Sequence, residues 1–251
     1  MSISLTQLTS HLNELLKPSR FDDYCPNGLQ VEGSIAVNKI VTGVTASQEL
    51  IESAINREAD ALLVHHGYFW RGEPAVITGM KRKRIQLLLE NNISLLAYHL
   101  PLDAHLELGN NVQLAKILGW HPEPVDKKHP IPLVRSAILE NAIDGTSLSQ
   151  HIESSLARKP LHITADREIK KVAWCTGAAQ SYFVDALELG ADAFISGEIS
   201  EATTHIAREH NVHYFSAGHH ATERYGVKAL GEHLAEKFDI NIEFVDIDNP
   251  V

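Results

Sequence analysis

At 251 residues, 44% hydrophobic and 22% charged, the chain can bury a full core as one large domain or two small ones, and its net charge of −10 argues against a general affinity for nucleic acid phosphates or anionic lipid. Two cysteines, Cys25 and Cys175, without CxxC spacing, exclude a disulfide framework and fit a reducing compartment. The opening residues lack a basic leader with an apolar core, and no stretch reaches the ~20 apolar residues that span a bilayer, so the cytoplasm is the expected location.

In chain order, Leu5, Leu8, Leu12, Leu15 and Leu16 recur at helical spacing behind Ser4 and Gln7, which form a capping-box pattern, and Pro18 stops the run. Residues 39–47 read as strand and turn, 48–59 as helix and 60–66 as a buried strand, in the order of a βαβ unit. The basic run Lys81 to Arg84 heads an apolar segment and reads as the solvated face of a helix start. Residues 120–135 hold four prolines and mixed charge, the expected connector.

The unit recurs. Residues 39–66 align with 171–198 at an offset of 132, which sets Ala59, Asp60 and Ala61 on Ala191, Asp192 and Ala193. Residues 92–104 align with 211–223 at an offset of 119. The pattern predicts an α/β fold built from an internal duplication; a chance likeness of two βαβ units is the plainer alternative.

The chemistry-bearing residues gather where strands end, the place ligands occupy in open α/β sheets. His65 and His66 close a strand in "LLVHHG", Asp103 follows the next apolar strand, and His219 and Glu223 follow the corresponding strand in the second half. His219 and Glu223 lie four apart, on one helical face. Imidazole and carboxylate without thiolate suit zinc, manganese, iron or nickel, and three His with two carboxylates match a pair of ions ~3.5–4 Å apart. The bland reading is that His at strand ends are hydrogen-bonded surface or core groups. His11, His105, His121, His129, His151, His162, His205, His210 and His233 are read that way. His99, His213 and His220 lie near the candidate site, and Glu198 takes in the second copy the place of His66, as a pocket residue able to carry protons.

Other chemistries lack their motifs: there is no G-x-S-x-G, Walker, G-x-G-x-x-G or HExxH pattern. Cys175 reads as a small core thiol, and Asn27–Gly28 as a turn with pocket lining as the lesser option.

"PNGLQVEG", "TGVTAS", "ADALLVHHGYFW", "HLPLDAHLELGNN", "GADAFISGE" and "AGHHATE" together resemble the Nif-three-like family (NGG-one interacting factor three), from about Asp23 to near the C-terminus. The resemblance implies two similar intertwined α/β lobes, here expected at 1–124 plus 216–251 and at 125–215, with the metal site at strand C-terminal ends between them. It implies a toroidal homohexamer with two divalent metal ions per subunit, held by His65, His66, Asp103, His219 and Glu223. Only residues ~120–170 separate the repeats, too few for the domain that longer members insert, so this is a short form. Bacterial members are labelled GTP cyclohydrolase type-two homologues. That implies a metal-dependent hydrolase in which activated water attacks the imidazole ring of a guanine nucleotide and releases formate, with Glu198 or His99 as catalytic proton carriers. The alternatives are a metal-binding or metal-delivering protein without turnover, and a ring that engages stress-response partners. The acidic balance makes nucleic acid the least favoured partner, and no membrane is expected.

Overall fold

The computed structural model describes residues 2–125 and 133–251. The connector expected at 120–135 therefore lies partly, and His129 wholly, outside the described residues. In chain order the elements are β1 (Ile3–Ser4), α1 (Leu5–Leu16), β2 (Gly28–Val31), β3 (Ala36–Val37), β4 (Lys39–Thr45), α2 (Gln48–Asn56), β5 (Ala61–His66), α3 (Gly79–Glu90), β6 (Ser94–Ala97) and α4 (Leu100–Asp103). There follow α5 (Asn110–Ile117), β7 (Arg135–Ile143), α6 (Gly145–Leu156), β8 (Leu161–Ile163), β9 (Ile169–Trp174), α7 (Phe183–Glu188), β10 (Ala193–Ser196), α8 (Glu201–His210), β11 (His213–Ser216), α9 (His219–Phe238) and β12 (Asn241–Phe244).

The chain divides into two compact units, Met1–Gly109 with Gly226–Asp248, and Asn110–Tyr225 with Asn249–Val251. The breaks fall at 109 and 225, where the sequence suggested 124 and 216. The physical reason at the first break is α5, whose Leu114 and Ala115 join the second unit's core with Leu148, Ile152 and Trp174.

In the first unit, α1 starts at the expected capping box. The Gln7 N–H donates to Ser4 Oγ, and the Ser4 N–H donates to Gln7 Oε1. Leu5, Leu8, Leu12 and Leu16 are buried, and Lys17 in the left-handed conformation ahead of Pro18 ends the helix. The sheet runs β12-β4-β5-β6-β2, parallel except for β2 on the edge. Both faces are covered, which is why β5 is a continuous apolar run rather than an alternating one. Ala61 and Leu63 join Leu8, Leu12, Val227 and Leu230 on one side, and Leu62 and Val64 join Leu50, Ile51 and Leu88 on the other.

The second unit's sheet runs β7-β9-β10-β11-β8, with β9, β10 and β11 parallel and an antiparallel strand on each edge. The duplication is visible atom by atom. Asp60 Oδ2 accepts the N–H groups of Asn38 (2.7 Å) and Lys39 (3.1 Å), and Asp192 Oδ2 accepts those of Lys170 (2.9 Å) and Lys171 (2.8 Å). Ser94 N–H donates to Asp60 O, and His213 N–H to Asp192 O. These pairs match at the two offsets read from the sequence.

Candidate metal centre

In the first unit, strand alternation sets the side chains of His65 and His66 out on opposite faces. Their rings nevertheless converge, with centroids 4.5 Å apart, because β5 ends at His66. The next residue must be small: a Cβ on Gly67 would lie 2.2 Å from Gln30 Oε1 and 2.7 Å from Ala97 Cβ. His65 is fully buried, and its Nδ1–H donates to the Tyr98 carbonyl at 2.9 Å. A carbonyl can only accept, so the proton is fixed on Nδ1 and the Nε2 edge faces Asp103, 3.4 Å from Oδ1. His66 Nδ1 lies 3.2 Å from Thr45 Oγ1. Asp103 comes from α4, one turn beyond β6, where its N–H donates to His99 O.

His99 completes this cluster: His65, His66 and His99 each offer a ring nitrogen within 4.8 Å of the others. Its Nδ1–H donates to Asp23 Oδ1 at 2.7 Å. Asp23 also accepts from the N–H of Tyr24 and, on Oδ2, from Asn27 Nδ2 and the Leu100 N–H. Burial alone pushes the Asp23 carboxyl up, but the hydrogen bonds from His99, Asn27 and Tyr24 outweigh it and hold the group below its ordinary value. With each oxygen accepting two hydrogen bonds, Asp23 orients His99 rather than taking a cation. Asn27 helps, since its Oδ1 accepts the His99 N–H at 2.7 Å. Neighbouring Cys25 stays a neutral thiol, pushed up to about 12 by burial and by Asp23. Asp23 has no motif that marks it in sequence, and its partner lies 76 residues away.

In the second unit, His219 and Glu223 sit in the first turns of α9. His219 Nε2 lies 3.0 Å from Glu223 Oε2, and its Nδ1–H donates to Glu198 Oε1 at 2.7 Å. Burial pushes the His219 imidazole down, and Glu223 and Glu198 on its two nitrogens outweigh this and lift it to about 9. Two carboxylates flanking one imidazole, with Glu223 buried, make a place that draws positive charge. Gly177 shapes it: with φ +70°, its Cβ would lie 2.0 Å from Glu223 Oε1 and 3.3 Å from His219 Nε2. The donor chemistry of both units, imidazole and carboxylate around buried positions, fits hard or borderline divalent cations.

The units do not repeat their donors. Thr222 N–H donates to Gly218 O as Asp103 N–H donates to His99 O, so the offset of 119 pairs Asp103 with Thr222 and His99 with Gly218. His219 and Glu223 each stand one residue further on. His213 is elsewhere, at the start of β11, bonded to His162 and to Arg167 O. The His220 N–H donates to Val251 O. Cys175 is buried beside Phe183 and Phe194, as expected for a core thiol. Among the other histidines, His11 and His233 face each other with Nε2 atoms 3.1 Å apart, and His151 Nε2 meets Leu118 O.

The fold and these residues define a class: a duplicated α/β protein with histidine and carboxylate clusters at strand ends that can hold metal ions. Residues 3–250 match the family model Duf34/NIF3 (NGG1p interacting factor 3), and the chain belongs to that family. It is 56% identical to the GTP cyclohydrolase 1 type 2 homolog of Vibrio cholerae over 98% of both chains, and 52% identical to that of Escherichia coli K12, again over 98% of both. Among solved structures, the ybgI protein, described as of unknown function, superposes with a TM-score of 0.94 at 50% identity over 99% of this chain and 100% of its own. A Thermus thermophilus protein does so with 0.89 at 31% identity, over the same shares.

Proposed function

We propose that this chain binds two divalent metal ions through His65, His66, Asp103, His219 and Glu223 and hydrolyses a guanine nucleotide at that centre. The observation that carries the reading is a shared hydrogen-bond scheme. In His65, His66, His99 and His219 alike, Nδ1 meets a protein oxygen, from Tyr98, Thr45, Asp23 and Glu198 respectively. Proteins fix the ring of a ligating imidazole in this way, and the three proposed ligands His65, His66 and His219 share the scheme with His99, the proposed base. The nucleotide comes from kinship, since relatives at 52–56% identity carry the GTP cyclohydrolase 1 type 2 homolog name. A cytoplasmic homohexamer is part of the same proposal, taken from the family resemblance read in the sequence.

Bound divalent cations supply Lewis acidity and make hydroxide available near neutral pH. The chain's own part is to hold and move protons. His99, fixed by Asp23, takes a proton from the attacking water and releases it through solvent; Glu198, with Oε1 bonded to His219, takes one up on its other oxygen and gives it to the opening imidazole ring. The test is elemental analysis of the parent, His66→Ala and Glu223→Gln proteins, followed by formate measurement after incubation with GTP. About two ions per parent chain, fewer in both variants, and formate from the parent alone is the expected result. No bound metal after reconstitution with zinc, manganese, iron and nickel overturns the centre; metal without formate keeps the centre and removes the hydrolase.

A further inference from the structure

The loop after β5 carries a feature that metal binding does not use. Gln30 pins it, its Oε1 accepting the Tyr68 N–H at 2.7 Å and its Nε2 donating to Tyr68 O at 3.1 Å, while the Tyr68 hydroxyl donates to Ala46 O. The next residue, Phe69, is held at φ +67°, a left-handed conformation that a bulky residue rarely adopts. This turn aims Trp70 at the histidine cluster, its ring centroid 5.0 Å from His99, edge to face, and 5.9 Å from His66. Tyr24 also neighbours this imidazole, its ring centroid 6.5 Å from that of His99, and is 53% exposed. Arg71 stitches the two loops together: its N–H donates to Tyr24 O at 2.6 Å, and its guanidinium lies 5.8 Å from the Tyr24 ring and donates to Asp22 and to Asp23 O.

Two aromatic rings beside a catalytic imidazole, with a cation at their margin, are a recognition surface in search of a flat ligand. Resting on the reading above, we infer that Tyr24, Trp70 and Arg71 select the substrate: the rings take a planar heteroaromatic group, and Arg71 takes an anionic group attached to it. Aromatic faces accept any base, and the Phe69 strain presets the Trp70 ring before the ligand arrives. The Arg71–Asp22 pair is exposed on both sides, at 60% and 90%, so an incoming phosphate displaces Asp22 at little cost.

The probes are guanosine and guanosine 5′-monophosphate, titrated by calorimetry into the metal-loaded parent, Tyr24→Ala, Tyr24→Phe, Trp70→Leu and Arg71→Ala proteins, with metal content and oligomeric state measured on each. Loss of one stacking ring weakens binding of both probes by about tenfold or more, Tyr24→Phe keeps parent affinity, and Arg71→Ala weakens the monophosphate several-fold more than the nucleoside. Equal affinities in parent and variants overturn the inference. So does a parent that holds its metal and binds neither probe, an outcome that leaves the metal centre standing. A Tyr24→Ala protein that changes oligomeric state or loses metal, with affinity otherwise kept, also overturns it. Ring-dependent binding to a parent without metal upholds the inference and sinks the metal reading.

Discussion

The two units share a scaffold but differ at the positions that carry chemistry. Thr45 in the first unit corresponds to Gly177 in the second. The threonine hydroxyl meets the His66 ring, whereas the glycine makes room for the Glu223 carboxylate. His65 and His66 correspond to Gly197 and Glu198, and His99 to Gly218. The main-chain hydrogen bonds around Asp60 and Asp192 meanwhile agree pair for pair. A duplicated α/β unit thus keeps the backbone that delivers side chains to strand ends and divides the delivered groups, imidazoles to one copy and a carboxylate-rich set to the other.

This division can be broken first at Gly177. Gly177→Ala puts a methyl group where Glu223 Oε1 lies and asks Ala to adopt φ +70°. Metal content is expected to fall, with stability down by about 1–3 kcal/mol in urea titration. Ala at 177 with full metal content would show that Glu223 does not depend on the glycine. The first unit is tested by Asp23→Asn, which removes the charge and turns one oxygen that accepts two hydrogen bonds into a donor, so that His99 is held less firmly. Metal content stays at the parent level and formate release drops about 10–100-fold; unchanged turnover would remove His99 from the mechanism.

The shared scaffold predicts a graded pair. Asp192→Ala strands two main-chain N–H groups and the ion-pairing Arg167, at a cost of about 1–3 kcal/mol. Asp60→Ala strands two N–H groups beside more exposed backbone and costs less. Equal losses would mean that the copies are energetically interchangeable as well as geometrically alike.

The smallest expected effect belongs to the second unit alone. His162 stacks on Phe215 with centroids 4.1 Å apart, and burial, with help from His213, lowers it to about 4. The unfolded chain binds this proton below pH 6.5 and the folded one only near pH 4, so His162 favours folding above 6.5 and that contribution fades as the pH falls toward 4. The urea midpoint is expected to drop between pH 7 and pH 5, and His162→Phe to narrow the drop; an equal drop in the variant would clear His162 of the effect.

Local and repeated features were legible in the sequence. The Ser4/Gln7 box with its leucine stripe gave α1 to the residue at its start, and the Asp60/Asp192 match gave the duplication. The adjacent histidines were legible because ligand chemistry clusters at strand ends. Asp23 was not, because its meaning depends on a bond to His99 that only folding makes. The register of the second donor pair was legible: the offset of 119 already sets Thr222, not Glu223, at the place of Asp103, and the hydrogen bonds agree. The family resemblance puts the C-terminal segment in the first lobe, but the pairing of β12 with β4 was hidden, since a four-residue strand states no partner.

The bond from His65 to the Tyr98 carbonyl has a consequence for how this centre can be altered. Its acceptor belongs to the main chain, so no substitution at residue 98 deletes it, and side-chain scanning passes over it in silence. Tyr98 is itself placed by its N–H bond to Val64 O at the end of the sheet. The aim of one imidazole is thereby written into strand registration, and it shifts only when β5 and β6 slide against each other, a change that costs the whole sheet.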